Sequence, residues 1–156
     1  RRDRSYSLPN GCILMKLSKI ISEMSFGYDP EFEAEVKKLT DQGAKFLGQG
    51  DNGKAYELNG KVYKVTTDEV ELEHAQLLKG KTTENLAHIY SVEQINTRLG
   101  TIEMENLEEY QGEVPQEFID AVELEVVTHQ IDVDELDIRP SNVMQDTKGK
   151  LKLVDI

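Results

Sequence analysis

The sequence predicts an α+β fold, in which helices flank and interrupt a group of antiparallel strands. Two observations lead to this prediction. Apolar residues recur every three or four positions towards both ends of the chain, as in amphipathic helices, whereas from Ala44 the period changes to that of strands. The dipeptide Asn59-Gly60, which is typical of tight hairpin turns, joins two of these strands. A length of 156 residues with 38% hydrophobic and 31% charged residues is typical of one globular domain.

The first 43 residues are predicted to contain two helices that precede the strands. Residues 1–14 carry turn-forming residues and little periodicity, so we expect a flexible tail or appendage there. An apolar stripe predicts an amphipathic helix over residues 15–24. Asp29-Pro30 predicts the cap of a second helix that ends at Gly43, with an apolar stripe of Phe32, Val36 and Leu39. Residues 15–43 therefore form a predicted helical extension.

The remaining elements are predicted in a definite order. Asp68 is expected to cap a helix that runs to Lys79, with Glu71 completing a capping box. Three strands precede this helix, two strands follow it, and a further helix and a short hairpin close the chain. The predicted strands cover residues 44–49, 54–58, 61–66, 88–95 and 100–105, the last helix covers 115–130, and the hairpin strands cover 143–145 and 151–154.

The charge balance and the cysteine content exclude several classes of partner and site. Eighteen basic and 30 acidic residues give a net charge of −12, which argues against nucleic acid or an anionic membrane as the main partner. The apolar run over residues 11–15 is too short to span a bilayer. The single cysteine, Cys12, suits a reducing compartment, so we expect a cytoplasmic protein.

A glycine-rich segment lies between the first two predicted strands. Gly48, Gly50 and Gly53 form the pattern G-x-G-x-x-G. Because a hairpin and not a helix follows, the pattern favours a flap whose backbone amides cover phosphates, as opposed to a dinucleotide-binding turn. An ordinary glycine-rich hairpin turn is the alternative.

A lysine on the next strand has the spacing expected of a phosphate ligand. Lys64 lies eleven residues after Gly53. Such a lysine needs a carboxylate from the following helix to hold it towards the phosphates. Glu69, Glu71 and Glu73 are available, and we select Glu73 because Leu77 follows one turn later and would lie on the same helix face. A solvated acidic face is the alternative.

A third group of polar residues lies near the end of the chain. Asp137 precedes Asn142 by five residues, and Asp155 follows Asn142 by thirteen. Phosphoryl transfer from ATP requires a carboxylate beside the acceptor hydroxyl, an amide oxygen on one Mg²⁺ and a further carboxylate on the metals. These three residues can supply those groups.

Taken in order, these motifs resemble those of the protein-kinase superfamily over residues 44–156. The resemblance implies a protein-kinase-like fold, with a five-stranded antiparallel N-lobe sheet and helix C in residues 44–105. Residues 106–156 would be a truncated helical C-lobe, and the two N-terminal helices would be additional. The usual H-R-D of the catalytic loop is Glu135-Leu136-Asp137 here, and the sequence stops one residue after Asp155. We therefore expect either a fragment of a longer kinase or a minimal kinase similar to those encoded by bacteriophages.

The resemblance also implies a role for each matching residue, with ATP and Mg²⁺ as cofactors. Asp137 would be the catalytic base, and Arg139 would neutralise the γ-phosphate. Lys64 would bind the α- and β-phosphates, and Asn142 and Asp155 would bind Mg²⁺. At the end of the fifth strand, the gatekeeper would be Met104 and the backbone groups at the adenine edge would belong to Glu105 and Leu107.

The implied activity is that of a serine/threonine protein kinase, because Pro140-Ser141 matches the Ser/Thr type, with autophosphorylation as one reaction. Nine acidic residues and no basic ones lie between Thr101 and Glu125, which favours a basic protein substrate. A pseudokinase or acidic protein that inhibits a host partner is the main alternative, and a small-molecule kinase of the aminoglycoside type is a further one. The N-terminal helices could form a dimer interface.

Overall fold

The computed structural model describes residues 29–156, which form three α-helices and two antiparallel sheets. The larger sheet has five strands in the order β1-β2-β3-β5-β4, and the smaller has three in the order β6-β7-β8. The elements are α1 (Pro30–Asp41), β1 (Lys45–Gln49), β2 (Gly53–Leu58), β3 (Lys61–Thr66), α2 (Glu69–Leu78), β4 (Ile89–Gln94), β5 (Gly100–Glu105), β6 (Glu108–Glu109), α3 (Gln116–Thr128), β7 (Val143–Gln145) and β8 (Leu151–Leu153). The predicted α+β class with a five-stranded antiparallel sheet is confirmed.

Helix α1 begins where the sequence predicts. The Asp29 carboxylate accepts hydrogen bonds from the backbone N–H groups of Glu31 and Phe32, and Pro30 occupies the first turn. Gly43 follows the helix with a φ of +85°. The predicted apolar stripe is confirmed, since Phe32, Val36 and Leu39 are all buried. The helix predicted over residues 15–24 lies outside the described residues.

The β2–β3 hairpin fixes the register of the sheet. Asn59 and Gly60 both have positive φ angles, 54° and 79°, as a type I′ turn requires. Leu58 therefore pairs with Lys61, and Ala55 pairs with Lys64. Strand β3 lies at the centre of the sheet, because β5 pairs with its other edge.

Apolar side chains cover both faces of the larger sheet. On one face the stripe of α1 packs in a cluster completed by Tyr56, Val65 and Leu99. On the other face the core includes side chains from α2, α3 and the C-terminal strands, among them Leu72, Leu78, Ile102, Val122, Val126 and Leu153. Within residues 29–156, no helix is long and apolar enough to cross a membrane.

The C-terminal part of the chain is attached to the sheet through the α2–β4 connection. Leu86 and Leu153 form a parallel β-bridge, in which the N–H of Leu153 donates to the carbonyl of Asn85. The Glu125 carboxylate on α3 accepts from the backbone N–H groups of Glu84 and Asn85. Strand β6, which was not predicted, adds a third strand to the predicted C-terminal hairpin. Because of these contacts, the residues that follow β8 lie close to β3.

Candidate functional site

A cleft of about 450 Å³ lies between the glycine-rich hairpin, the start of α2 and the C-terminal segment. Its lining is strongly polar, and six of its eight charged residues are acidic. It brings together seven of the residues predicted for the site, namely Gly50, Gly53, Lys64, Asp137, Arg139, Asn142 and Asp155. Asp51, Asn52, Asp68, Glu71, Glu135 and Ser141 also line it. Gly48, Glu73, Met104, Glu105 and Leu107 are not among the residues that line this cleft.

The ammonium group of Lys64 joins two carboxylates at the inner end of the cleft. Its Nζ lies 2.5 Å from Oε1 of Glu71 and 2.6 Å from Oδ1 of Asp155. The second carboxylate oxygen of Glu71 accepts a hydrogen bond of 2.9 Å from the hydroxyl of Thr66, which is fully buried. The three charged groups and this hydroxyl therefore form one network, in which Glu71 is fixed from two sides.

The selection of Glu73 as the partner of Lys64 is wrong. Glu73 is exposed and lines a separate groove together with Leu77, which is itself 37% exposed. The inward face of α2 instead carries Leu72, Ala75 and Leu78, and this phase turns Glu71 towards the sheet. Because Glu71 is turned towards the sheet, it does not form the capping box predicted with Asp68.

Asp68 does cap α2 as predicted, since its carboxylate accepts from the N–H groups of Val70 and Glu71. Its own N–H, however, donates to the hydroxyl of Thr66 and not to Glu71. Thr66 therefore has two tasks, because it completes the helix cap and orients the Glu71 carboxylate. Thr66 is not predicted from the sequence, because no local pattern distinguishes it from other strand threonines.

The network shifts the pKa values of all three of its charged groups. Burial raises the pKa of Glu71 to about 7, and the neighbouring charge of Asp155 adds to this rise although Lys64 opposes it. Burial also acts to raise the pKa of Asp155, but the attraction of Lys64 outweighs it and the pKa lies below its ordinary value. Burial disfavours the Lys64 ammonium, yet the two carboxylates keep its pKa above the ordinary value. Near neutral pH, Asp155 is thus ionised and Glu71 is partly protonated.

On the outer side of the cleft, Asp137 is held by its own loop. The guanidinium of Arg139 donates to both carboxylate oxygens, with Nε 2.8 Å from Oδ1 and 2.6 Å from Oδ2. Hydrogen bonding to Arg139 therefore keeps the pKa of Asp137 below its ordinary value. The side-chain amide nitrogen of Asn142 donates to the carbonyl of Asp137 at 3.0 Å. This bond orients the amide, whose oxygen accepts a hydrogen bond of 3.4 Å from the Ser141 hydroxyl and has a second lone pair for another ligand.

The three predicted glycines have different structural roles. A Cβ on Gly53 would lie 2.6 Å from the carbonyl oxygen of Val65, so only glycine fits at this position. Gly48 and Gly50 have open space where a Cβ would lie. Between them and Gly53, the carbonyl of Asn52 accepts from the N–H of Thr67, which fastens the hairpin tip to the start of α2.

The residues predicted at the adenine edge do not line the cleft, although Met104 lies beside it. Met104 is buried and lines a narrow gap of about 10 Å³ that also contacts Glu71 and Ile156. The side chain of Glu105 accepts from the ammonium of Lys152 at 2.5 Å and from the N–H of His88 at 2.8 Å. The adenine contacts therefore stay a prediction.

The oxygen atoms of the cleft suit a hard divalent cation. Asn142 offers an amide oxygen and Asp155 offers a carboxylate, which are ligands that Mg²⁺ prefers. Within the described part of the chain, no three His, Cys, Asp or Glu side chains form a metal site by themselves. Mg²⁺ commonly takes only one or two protein carboxylates and completes its shell with phosphates and water, so the donor set fits that mode of binding.

No protein-family model and no curated protein sequence matches this chain. The functional assignment therefore rests on the residues and geometry of the cleft.

Proposed function

We propose that this chain is an ATP- and Mg²⁺-dependent protein kinase domain that phosphorylates serine or threonine hydroxyls. One observation carries the proposal: Lys64 contacts both Glu71 and Asp155 within a cleft that also contains Asp137, Asn142 and the glycine hairpin. Phosphoryl transfer uses a lysine fixed by a helix carboxylate and a metal-binding acid beside it. These residues come from five separate segments of the sequence, which makes their convergence more specific than any single motif.

In this proposal Asn142 and Asp155 would hold the Mg²⁺, which would neutralise charge on the phosphates. Lys64 would contact the phosphates, and the glycine hairpin would cover them with backbone N–H groups. Glu71 keeps the ammonium in place, and Thr66 keeps Glu71 in place.

Asp137 is suited to orient the acceptor hydroxyl and to receive its proton. Its carboxylate is 46% exposed at the mouth of the cleft, and Arg139 favours the ionised form. In the transfer step, the substrate oxygen forms a bond to the γ-phosphorus while the bond to the β–γ bridging oxygen breaks. ADP leaves with that electron pair, and the hydroxyl proton passes to Asp137 and then to water. Arg139 would leave one carboxylate oxygen and turn towards the phosphate.

The finer features expected from the sequence belong to the same proposal. The five-stranded sheet with α2 corresponds to a kinase N-lobe with its helix C, and residues 106–156 correspond to part of a C-lobe. We further propose that the protein acts in the cytoplasm on basic protein segments, because its surface is acidic and its thiol content is low.

A nucleotide-binding protein without transfer activity is the second candidate. The observation that favours it is the engagement of both Asp137 oxygens by Arg139, which leaves the proposed base paired. Such a protein would bind Mg²⁺-ATP and act on a partner without chemistry.

Transfer of label from γ-phosphate-labelled ATP, with Mg²⁺ and a basic protein as acceptor, distinguishes the two. Lys64→Ala and Asp137→Asn should abolish transfer, whereas the matched surface variants Lys148→Ala and Asp41→Asn should retain it, since both residues are exposed and lie outside the cleft. Binding of Mg²⁺-ATP without label in the wild type would favour the second candidate. If the wild type shows neither transfer of label nor binding of Mg²⁺-ATP, both candidate functions are overturned.

A further inference from the structure

Helix α2 makes a second polar contact that the proposed chemistry does not use. Nε2 of His74 lies 2.9 Å from a carboxylate oxygen of Glu135, which is 61 residues away in the sequence. Because an ionised carboxylate can only accept a hydrogen bond, Nε2 of His74 carries the hydrogen. The contact joins α2 to the turn that immediately precedes Asp137.

Packing alone does not account for the imidazole at this position. His74 is only 4% exposed, and its Nδ1 is buried without a hydrogen-bond partner among the described residues. A buried polar atom without a partner destabilises the folded state, so an aliphatic side chain would serve the core better. The contact with Glu135 is the feature that an aliphatic residue could not provide.

The two partners lie next to the proposed reacting groups. His74 follows Glu71 by three residues and so lies on the same side of α2. Glu135 precedes Asp137 by two residues, at the end of a turn that the Asp132 side chain caps. Its carboxylate is half exposed and yet turns to the buried imidazole.

We propose that His74 and Glu135 are positioning residues, whose contact holds α2 and the Asp137 segment in one fixed relation. The Lys64–Glu71 pair sets α2 against the sheet, and the His74–Glu135 pair sets it against the loop. Together they define the separation between the phosphate-binding lysine and the proposed base. This inference rests on the proposed kinase function for its catalytic consequence, but the contact itself can be tested without it.

The catalytic test compares Glu135→Ala with Glu135→Gln and Asp134→Ala. Glutamine keeps an acceptor oxygen at the same reach, and Asp134 is an exposed acid on the same turn that matches the change in charge. We expect Glu135→Ala to lower kcat about ten-fold while KM for ATP changes less than about two-fold, because misplacement affects the transfer step more than binding. Glu135→Gln should restore most of the rate, and Asp134→Ala should leave it unchanged.

His74→Leu supplies the second half of a double-mutant cycle. The single variant should lose as much kcat as Glu135→Ala, and the double variant should lose no more than the worse single variant. Equal rates in Glu135→Ala and Asp134→Ala, or additive losses in the double variant, would overturn the proposal.

Amide hydrogen exchange on α2 is the readout that does not depend on activity. Exchange should be faster in Glu135→Ala than in Asp134→Ala, and Glu135→Gln should return it towards the wild-type rate. If the wild type transfers no phosphate, the proposed function fails and exchange alone decides the role of the contact. Identical exchange rates in Glu135→Ala, Glu135→Gln and Asp134→Ala would then contradict the proposed positioning role of the contact between His74 and Glu135.

Discussion

Lys64 and Asp155 are 91 residues apart in the sequence, yet Nζ of the first lies 2.6 Å from Oδ1 of the second. Strand β3 places the lysine, whereas β8 and its bridge to the α2–β4 connection place the aspartate. Glu71 shares the same ammonium from α2. Two carboxylates thus compete for one cation in a largely buried site, and the titration of each depends on the other.

The first prediction concerns this coupling. Asp155→Asn removes a negative charge and a hydrogen-bonding partner that raise the pKa of Glu71, so that pKa should fall from about 7 towards its ordinary value. A carboxyl ¹³C NMR titration of Glu71 would measure the change. Asp120→Asn is the matched control, since it lies on the exposed surface of α3. An unchanged Glu71 titration in Asp155→Asn would show that the two acids are independent.

The second prediction is the effect of the Glu71 pKa on stability. Between its ordinary pKa and about 7, folded Glu71 holds a proton that the unfolded chain releases. The stabilisation that protonated Glu71 gives the folded state is therefore fully present below the pKa that Glu71 has in the unfolded chain. It is lost as the pH rises through the pKa that Glu71 has in the folded state. Relative to Glu71→Gln, which mimics the protonated acid, the wild-type free energy of unfolding should fall by on the order of 2 kcal/mol between pH 5 and pH 8.

Urea denaturation of both proteins at several pH values would test this prediction. Because all other titrating groups are shared, their contributions cancel in the difference between the two curves. Parallel pH profiles for the wild type and Glu71→Gln would contradict the raised pKa.

The third prediction separates the glycines of the hairpin. Gly53→Ala should lower the free energy of unfolding by about 2 kcal/mol, because the new Cβ would collide with the carbonyl oxygen of Val65 in the neighbouring strand. Gly50→Ala should lower the free energy of unfolding by less than about 0.5 kcal/mol, since the space around Gly50 is open. Urea denaturation measures both values. Similar losses in the two variants would mean that the close approach at Gly53 does not exist in solution.

The fourth prediction concerns the charge of the substrate and rests on the proposed kinase function. Exposed carboxylates follow β5 and continue into α3, namely those of Glu108, Glu109, Glu113, Glu117 and Asp120. A lysine- and arginine-rich peptide should have a kcat/KM about ten-fold above that of a matched acidic peptide at low salt, and the ratio should decline at high salt. The variant Glu117→Gln/Asp120→Asn should reduce the preference. Equal, salt-insensitive rates for both peptides would rule out electrostatic selection.

The sequence predicted the local elements well, because their determinants are local. Asp29-Pro30 caps α1 by side-chain and ring chemistry that involves its immediate neighbours. Asn59-Gly60 adopts the backbone angles that this dipeptide favours, and so defines the first hairpin. Strand β6, of only two residues, and the Leu86–Leu153 bridge depend on pairing between distant segments, for which the sequence offers no comparable pattern.

The candidate site was predicted in composition but not in all its contacts. Glu73 is the predicted partner only if Leu77 faces inward, whereas the stripe of Leu72, Ala75 and Leu78 defines the buried face. That stripe is visible in the sequence and would have indicated Glu71. The contact between His74 and Glu135 is different in kind, because neither residue belongs to a motif and only the tertiary structure brings them together.

Helix α1 has a consequence for the solubility of the chain. Its stripe shields Tyr56, Val65 and Leu99 on the face of the sheet opposite the cleft. A chain shortened to begin at Ala44 would display these side chains to water as a continuous apolar surface, which favours self-association. The helix contributes no residue to the cleft, yet it protects the reverse side of the strand that carries Lys64. Loss of α1 should therefore appear first as aggregation and only then as loss of the site.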